Sequence, residues 1–304
     1  MTSTMNVKVP SSRIAAPSRW RSLGRMVGTL WGNGKARIGL CLLALFVLVA
    51  VFAPWLAPYD PKDNGFERNA GASPEHWLGT TAAGEDVLSQ LIHGAQVSLL
   101  VGFAAGILST IVAVLIGLSW GYLRGIASET VGFFVNLFLV IPGLPLMIVI
   151  AAYLQNGGIL MIIAVIVVTG WAWGARVLRS QTQSLRGNDF VASAQFSGDS
   201  SARIIFREIL PNMTSLITGS FFGAATSAIL AESGLSFLGI GDTTTVSWGS
   251  MLFWASNSNA LLTGQWVLLF APGLCIALLA LSLTLINFGV DGISNPRLRE
   301  GKGR

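Results

Sequence analysis

The sequence predicts an all-α, polytopic membrane protein of about six transmembrane helices. Three observations carry that expectation. Charged residues make up 11% of the 304-residue chain, less than half the usual globular share, and 52% of it is hydrophobic. Apolar stretches long enough to cross a hydrocarbon layer lie at 38–58, 96–123, 130–154, 158–178, 213–240 and 264–290. If successive connections alternate sides, 17 of the 19 Lys and Arg residues collect on one side, the pattern of cytoplasmic loops.

Segment 1–37 is a basic tail, with Lys8, Arg13, Arg19, Arg21, Arg25, Lys35 and Arg37 and no acid, so it is expected to stay in the cytoplasm. Its length, and the five apolar stretches after the first span at 38–58, count against a cleavable signal peptide. The connection 59–95 carries Asp60, Asp63, Glu67, Glu75, Glu85 and Asp86 with only Lys62 and Arg68, and is expected outside. Residues 96–290 form the core, with Arg124 in one inner connection and a long polar one at 179–212; the tail 291–304, with Arg297, Arg299, Lys302 and Arg304, is expected inside. A basic balance so distributed reports topology and contact with anionic lipid, and argues against nucleic-acid binding. Cys41 and Cys275 sit in spans, too few for a disulfide framework or metal site.

Glycines recur four apart in the spans, at Gly102 and Gly106, Gly117, Gly121 and Gly125, Gly170 and Gly174, Gly219 and Gly223, a spacing that lets helix backbones approach closely. Pro142 and Pro145 interrupt the third span and Pro272 the sixth, freeing backbone carbonyls. Such breaks line a translocation pathway or are absorbed as packing kinks. Glu232 is the one acid deep in a predicted span: a functional candidate if buried, and merely interfacial if the fifth span ends near residue 230.

Catalytic readings fail on geometry. Gly117-Leu118-Ser119-Trp120-Gly121 matches a nucleophile pattern that has meaning only at a strand-to-helix turn, and here it lies within a helix. The two histidines, His76 and His93, fall in or beside the outer connection, and His93 stands about 39 Å from Ser119 along one helix. No phosphate-binding loop with its Lys and hydroxyl is present.

The polar segment Asn188–Asn212 is the sharpest clue, because a connection of that length between spans is usually functional. It predicts a short helix, a glycine break at Gly198, and a second amphipathic helix stopped at Pro211. Ala192-Ser193-Ala194, then Gly198, then Leu210-Pro211 follow the spacing of the conserved Glu-Ala-Ala loop of permease subunits of binding-protein-dependent ABC importers. Ala192 replaces that loop's glutamate, and Glu208 its isoleucine, with Ile209 beside it. Further stretches resemble the dipeptide, oligopeptide and nickel group of these permeases, specifically the second subunit of the pair: Ala53–Pro61, His76–Thr80 with Gly84–Ala95, Ala231–Gly239 with Ser247-Trp248-Gly249, and Asn295-Pro296-Arg297-Leu298.

The resemblance implies a type I ABC importer (MetI-like) permease fold in the plasma membrane of a prokaryote. It implies a heterodimer with a second permease, two ATPase subunits that hold ATP and Mg, an extracytoplasmic substrate-binding protein docking on 59–95 and 241–264, and no cofactor on this chain. Asp189, Phe190, Ala192, Ser193, Ala194, Phe196, Gly198, Leu210 and Pro211 would form the ATPase-coupling loop, with Phe190 and Phe196 as apolar anchors; Pro142, Pro145 and Glu232 are the pathway or gate candidates. Peptides are the expected cargo, with an oligosaccharide or nickel as alternatives within the group. A secondary transporter or channel would need repeated halves and several buried ionisable residues, which the spans lack.

Overall fold

The computed structural model describes residues 31–154 and 157–294, with side chains to residue 290. Most of the basic tail 1–37, the motif beginning at Asn295 and the rest of the C-terminal segment lie outside the described residues. Helices α1 (Gly34–Val51), α2 (Ala53–Leu56), α3 (Val87–Tyr122), α4 (Gly125–Val140), α5 (Gly143–Tyr153) and α6 (Gly158–Arg186) come first. They are followed by α7 (Asp189–Phe196), α8 (Ser201–Arg203), α9 (Thr214–Phe237), α10 (Trp248–Asn257) and α11 (Val267–Ser294). Five helical stretches are long and apolar enough to span a membrane, namely α1, α3, α6, the run from Ser201 to Phe237, and α11. The pair α4 and α5, bent by 92° at Ile141-Pro142, makes six if counted as one span.

The core is organised around α3, which packs along α6 and α9 and more lightly on α1. Its glycines explain why. A Cβ on Gly106 would stand 2.9 Å from Ala225 of α9, one on Gly117 2.6 Å from the Ala175 carbonyl of α6, and one on Gly121 2.6 Å from Thr182; Gly102 lies directly against Ile229. Hydrocarbon supplies no hydrophobic drive between helices, so this close approach, with its dispersion contacts, holds the bundle together. Gly170, Gly174, Gly219 and Gly223 line a cavity, and Gly174 also packs, since a Cβ there would stand 3.0 Å from Ala113 of α3.

Three boundaries depart from the sequence expectation. The third helix begins at Val87 rather than near 96, because the Asp86 carboxylate caps it by accepting from the Ser89 amide at 2.8 Å. Polar Gln90, His93 and Gln96 hide that first stretch from a hydropathy reading, yet Gln90 is buried and Gln96 donates to the Ala50 carbonyl. Pro272 does not break α11: it sits in the second turn of a continuous helix, where only the Leu268 carbonyl loses a partner. Nor does Pro211 stop a helix. The chain widens into a π-helical stretch at Ile204–Ile209, tightens through a 3₁₀ turn at Leu210–Met213, and continues into α9. The wide turn gives the proline ring the room that a regular α-turn would deny it.

Candidate functional site

Two constellations stand at opposite ends of α9. At its start, α7 lies across the ends of α3 and α6. Val191 is fully buried, and Phe190 and Ala194 rest on a cluster with Ala113, Leu118, Leu178, Ile204 and Ile209. Arg186 donates from Nη1 to the Tyr122 and Leu123 carbonyls at 3.0 and 3.3 Å, satisfying the end of α3, and Gln195 donates to the Tyr122 hydroxyl.

The far side of α7 is bare. Phe196 is 92% exposed, and Ser193 and Gln195 face outward beside it. The helix then ends in a Schellman turn: the Asp199 amide donates to the Ala194 carbonyl at 3.1 Å and the Gly198 amide to Gln195 at 3.0 Å. Gly198 takes φ +81, with nothing within 4 Å of a would-be Cβ, so glycine is required by backbone conformation and not by crowding. Asp199 and Arg203 pair at 2.7 Å across the break. The arrangement is a rigid turn with an apolar tip. Of the expected anchors only Phe196 projects; Phe190 is turned inward. Ile209 is buried at 0%, while neighbouring Glu208 stays at the edge.

At the other end, Glu232 is 1% exposed, buried within the protein on a helix that continues past it to Phe237. Its Oε1 accepts from Ser247 Oγ at 2.8 Å and Ser236 Oγ at 3.0 Å, and its Oε2 from Ser98 Oγ and Ser233 Oγ, each at 3.4 Å. Four hydroxyls saturate the carboxylate without a cation. Ser98 belongs to α3, and Ser247 caps α10 through a capping box with Ser250, so the acid ties three helices together. Trp248 completes the joint, its amide donating to Ser98 Oγ and its indole to the Leu91 carbonyl at 2.9 Å.

The connection 57–86 is fastened just as firmly. His76 Nδ1 lies 2.9 Å from Asp86 Oδ1, its ring clustered with those of Tyr59 and Phe66, and Ser89 Oγ donates to the same acid's Oδ2 at 2.7 Å. That serine bonds the carboxylate and not the imidazole, so the trio cannot act as a hydrolytic triad. Beside it, a 550 Å³ cavity opens between this connection and the residues around α10, lined by Lys62, Glu85, Thr243, Met251 and Trp254. Asp242, near its mouth, accepts from the Thr244 and Thr245 hydroxyls, which with the Thr244 amide and Lys62 hold its carboxyl below the usual range.

A second cavity, of 390 Å³, runs along the flank of the bundle between α3, α6 and α9. Its lining mixes small and polar groups, Ser109, Thr110, Gly170, Gly174, Ser220, Gly223, Ser227 and Asn287, with apolar ones, among them Met147, Ile166, Trp171, Trp173, Val177 and Leu216. Pro142, Pro145 and Glu232 do not. The structure places both prolines on the exposed corner between α4 and α5 and Glu232 in its serine cage, so the three pathway candidates do not converge.

Residues 113–300, which carry the α7 turn and the Glu232 joint, match the sequence profile of the family described as binding-protein-dependent transport system inner membrane component. The chain belongs to that family. Residues 23–74 of the permease also match the N-terminal transmembrane domain of oligopeptide transport permease C. Among similar proteins is the oligopeptide transport system permease protein OppC of Mycobacterium bovis, 34% identical over 266 residues that cover 86% of this chain and 89% of the relative. The di/tripeptide permease DppC of Pseudomonas aeruginosa is 32% identical over 290 residues, 92% of this chain and 91% of its own. DppC of Alkalihalophilus pseudofirmus is 32% identical over 302 residues, 98% and 97% of the two chains.

Sequence reasoning missed the His76–Asp86 clasp, the serine cage and the flank cavity of this permease. Periodic small residues were the available signal for the cavity, but the same spacing serves packing at Gly102 and Gly106. Nothing local marks Ser98 as a partner of an acid 134 positions away.

Proposed function

We propose that this permease forms half of the membrane pathway of an ATP-driven importer of short peptides, and that α7 is the handle by which partner ATPases move it. The observation that carries the reading is the exposed Phe196 on the Schellman turn at Gly198. Because α8 runs through the π and 3₁₀ turns into α9 without a break, displacement of α7 is transmitted directly to a spanning helix. In this reading each of two ATPase subunits, holding ATP and Mg, seats a short helix such as Asp189–Phe196 in a groove, with Ala192, Ser193 and Ala194 on the body of that helix and Leu210-Pro211 at the root of the lever.

The basic residues set the orientation: the α7 end and both termini face the cytoplasm, and 57–86 with α10 faces outward, where a substrate-binding protein docks. A second permease supplies the other half of the pathway, and the chain sits in the plasma membrane of a prokaryote. Peptide cargo is supported by the names of the relatives. The flank cavity, with hydroxyls and an amide able to exchange hydrogen bonds with peptide groups, is this chain's contribution to the path, and the bend at Pro142 and Pro145 is its hinge. Reconstitution of both permeases and both ATPases, with the binding protein, tests this through uptake of labelled di- and tripeptides. ATP-dependent accumulation is expected; movement of solute through the permeases alone, down a gradient and without ATP, contradicts it.

A further inference from the structure

Three arginines on the last turns of α6 face α3 and α4, and among the described residues none has a carboxylate within ion-pair distance. Arg186 is spent on the α3 carbonyls. Arg179 and Arg176 are not. The Arg179 guanidinium lies 3.9 Å over the ring of buried Trp120, whose indole donates to the Ser128 carbonyl of α4 at 2.8 Å, while Arg179 Nε is buried without a partner. One turn away, exposed Arg176 donates to Asn136 Oδ1 of α4, which occupies one arm of its fork. Two like charges three residues apart repel across a low-dielectric surface, and the nearest acid of α4, Glu129, pairs with neither.

Depth decides what anion completes this pocket. Helix α6 has 29 residues, about 43 Å of rise, against a hydrocarbon thickness of about 30 Å. Its last turns therefore emerge into the headgroup layer at the α7 end, with Arg179 at the boundary and Arg176 just inside it, within snorkelling reach. The neighbouring face of α4 presents Phe133, Phe134 and Leu137 to the surroundings, 64%, 53% and 44% exposed. Cationic forks above, apolar side chains below and an aromatic floor match a lipid phosphate with its acyl chains, and a soluble partner does not reach that depth.

We propose that Arg176 and Arg179, with Trp120 and Asn136, form a binding site for the phosphate of an anionic lipid in the leaflet at the α7 end. The choice of leaflet rests on the orientation proposed above; the chemistry does not. The test is native mass spectrometry of the assembled transporter titrated in detergent with phosphatidylglycerol, phosphatidylcholine or inorganic phosphate, comparing wild type, R176Q/R179Q and R176K/R179K. These titrations need neither transport nor orientation, so a failure of the peptide reading leaves them unchanged.

Affinity for phosphatidylglycerol is expected to fall at least about tenfold in the glutamine variant, which loses both positive charges but keeps amide donors, and to be largely kept in the lysine variant. Phosphatidylcholine binding is expected to be equal in all three, which also reports that the fold is intact. Equal phosphatidylglycerol binding in R176Q/R179Q overturns the site. So does displacement of the lipid by millimolar inorganic phosphate, which marks a free-anion site, or loss of the second permease from the glutamine variant, which marks a subunit contact.

Discussion

The two ends of α9 are built on opposite rules. Around Glu232 and the 57–86 connection, polar groups are buried and paired with one another, Ser98 with Glu232 and Trp248 with Leu91 across long stretches of chain, and His76 with Asp86 ten residues on. At α7 the helix and its turn are closed by local hydrogen bonds, Arg186 and Gln195 reach back to the end of α3, the inner face is held by apolar contact, and the largest side chain on the tip, Phe196, is 92% exposed. One end fixes the relative positions of α3, α9 and α10; the other exposes a rigid piece that, in the function proposed above, takes force from outside. A transmission element needs both, an input surface that a partner can grip and an output end at which helices move together.

Substitutions at the two ends should therefore separate stability from coupling. The largest loss of stability is expected from Glu232→Leu, which leaves four buried hydroxyls without their acceptor: roughly 3 kcal/mol, read as a lower melting temperature of the purified complex. Glu232→Gln, which keeps the shape and one acceptor oxygen, should lose less. An unchanged melting temperature in the leucine variant would erase the distinction between the ends. Next comes Asp86→Ala, which removes both the cap of α3 and the partner of His76 at a cost of about 2 kcal/mol. Its signature is local, as faster proteolytic cleavage within 57–86 while the α7 region stays resistant. Gly198→Val should cost only about 1 kcal/mol, since the site is open and the penalty is a left-handed β-branched residue. Yet it should uncouple ATP hydrolysis from uptake, and normal peptide uptake in that variant would remove the turn from the mechanism.

How much of this could be read in advance follows the same division. The α7 turn was legible because its signals are contiguous: helix formers, a glycine at the required left-handed position, then Leu-Pro. The fate of Pro211 was not, because a π-helical stretch leaves no composition mark. The spans were legible from hydropathy. The start of α3 was hidden because Gln90 and Gln96 look like loop residues until their long-range partners are known. Glu232 was flagged by its cost in a membrane, but its serine cage spans three helices. The small residues facing the flank cavity share their spacing with those that pack, and only the placement of neighbouring helices tells the two apart.

The central claim is that Phe196 is gripped by a nucleotide-hydrolysing neighbour. Phe196→Asp places a charge where an apolar groove is expected, and since the side chain is solvent-exposed in this chain, the variant's own stability should change by less than about 0.5 kcal/mol. The direct measurement is the amount of ATPase subunit that co-purifies with this variant when the second permease is retained in full. A clear loss of ATPase at unchanged melting temperature is the predicted result; full co-purification would contradict the account.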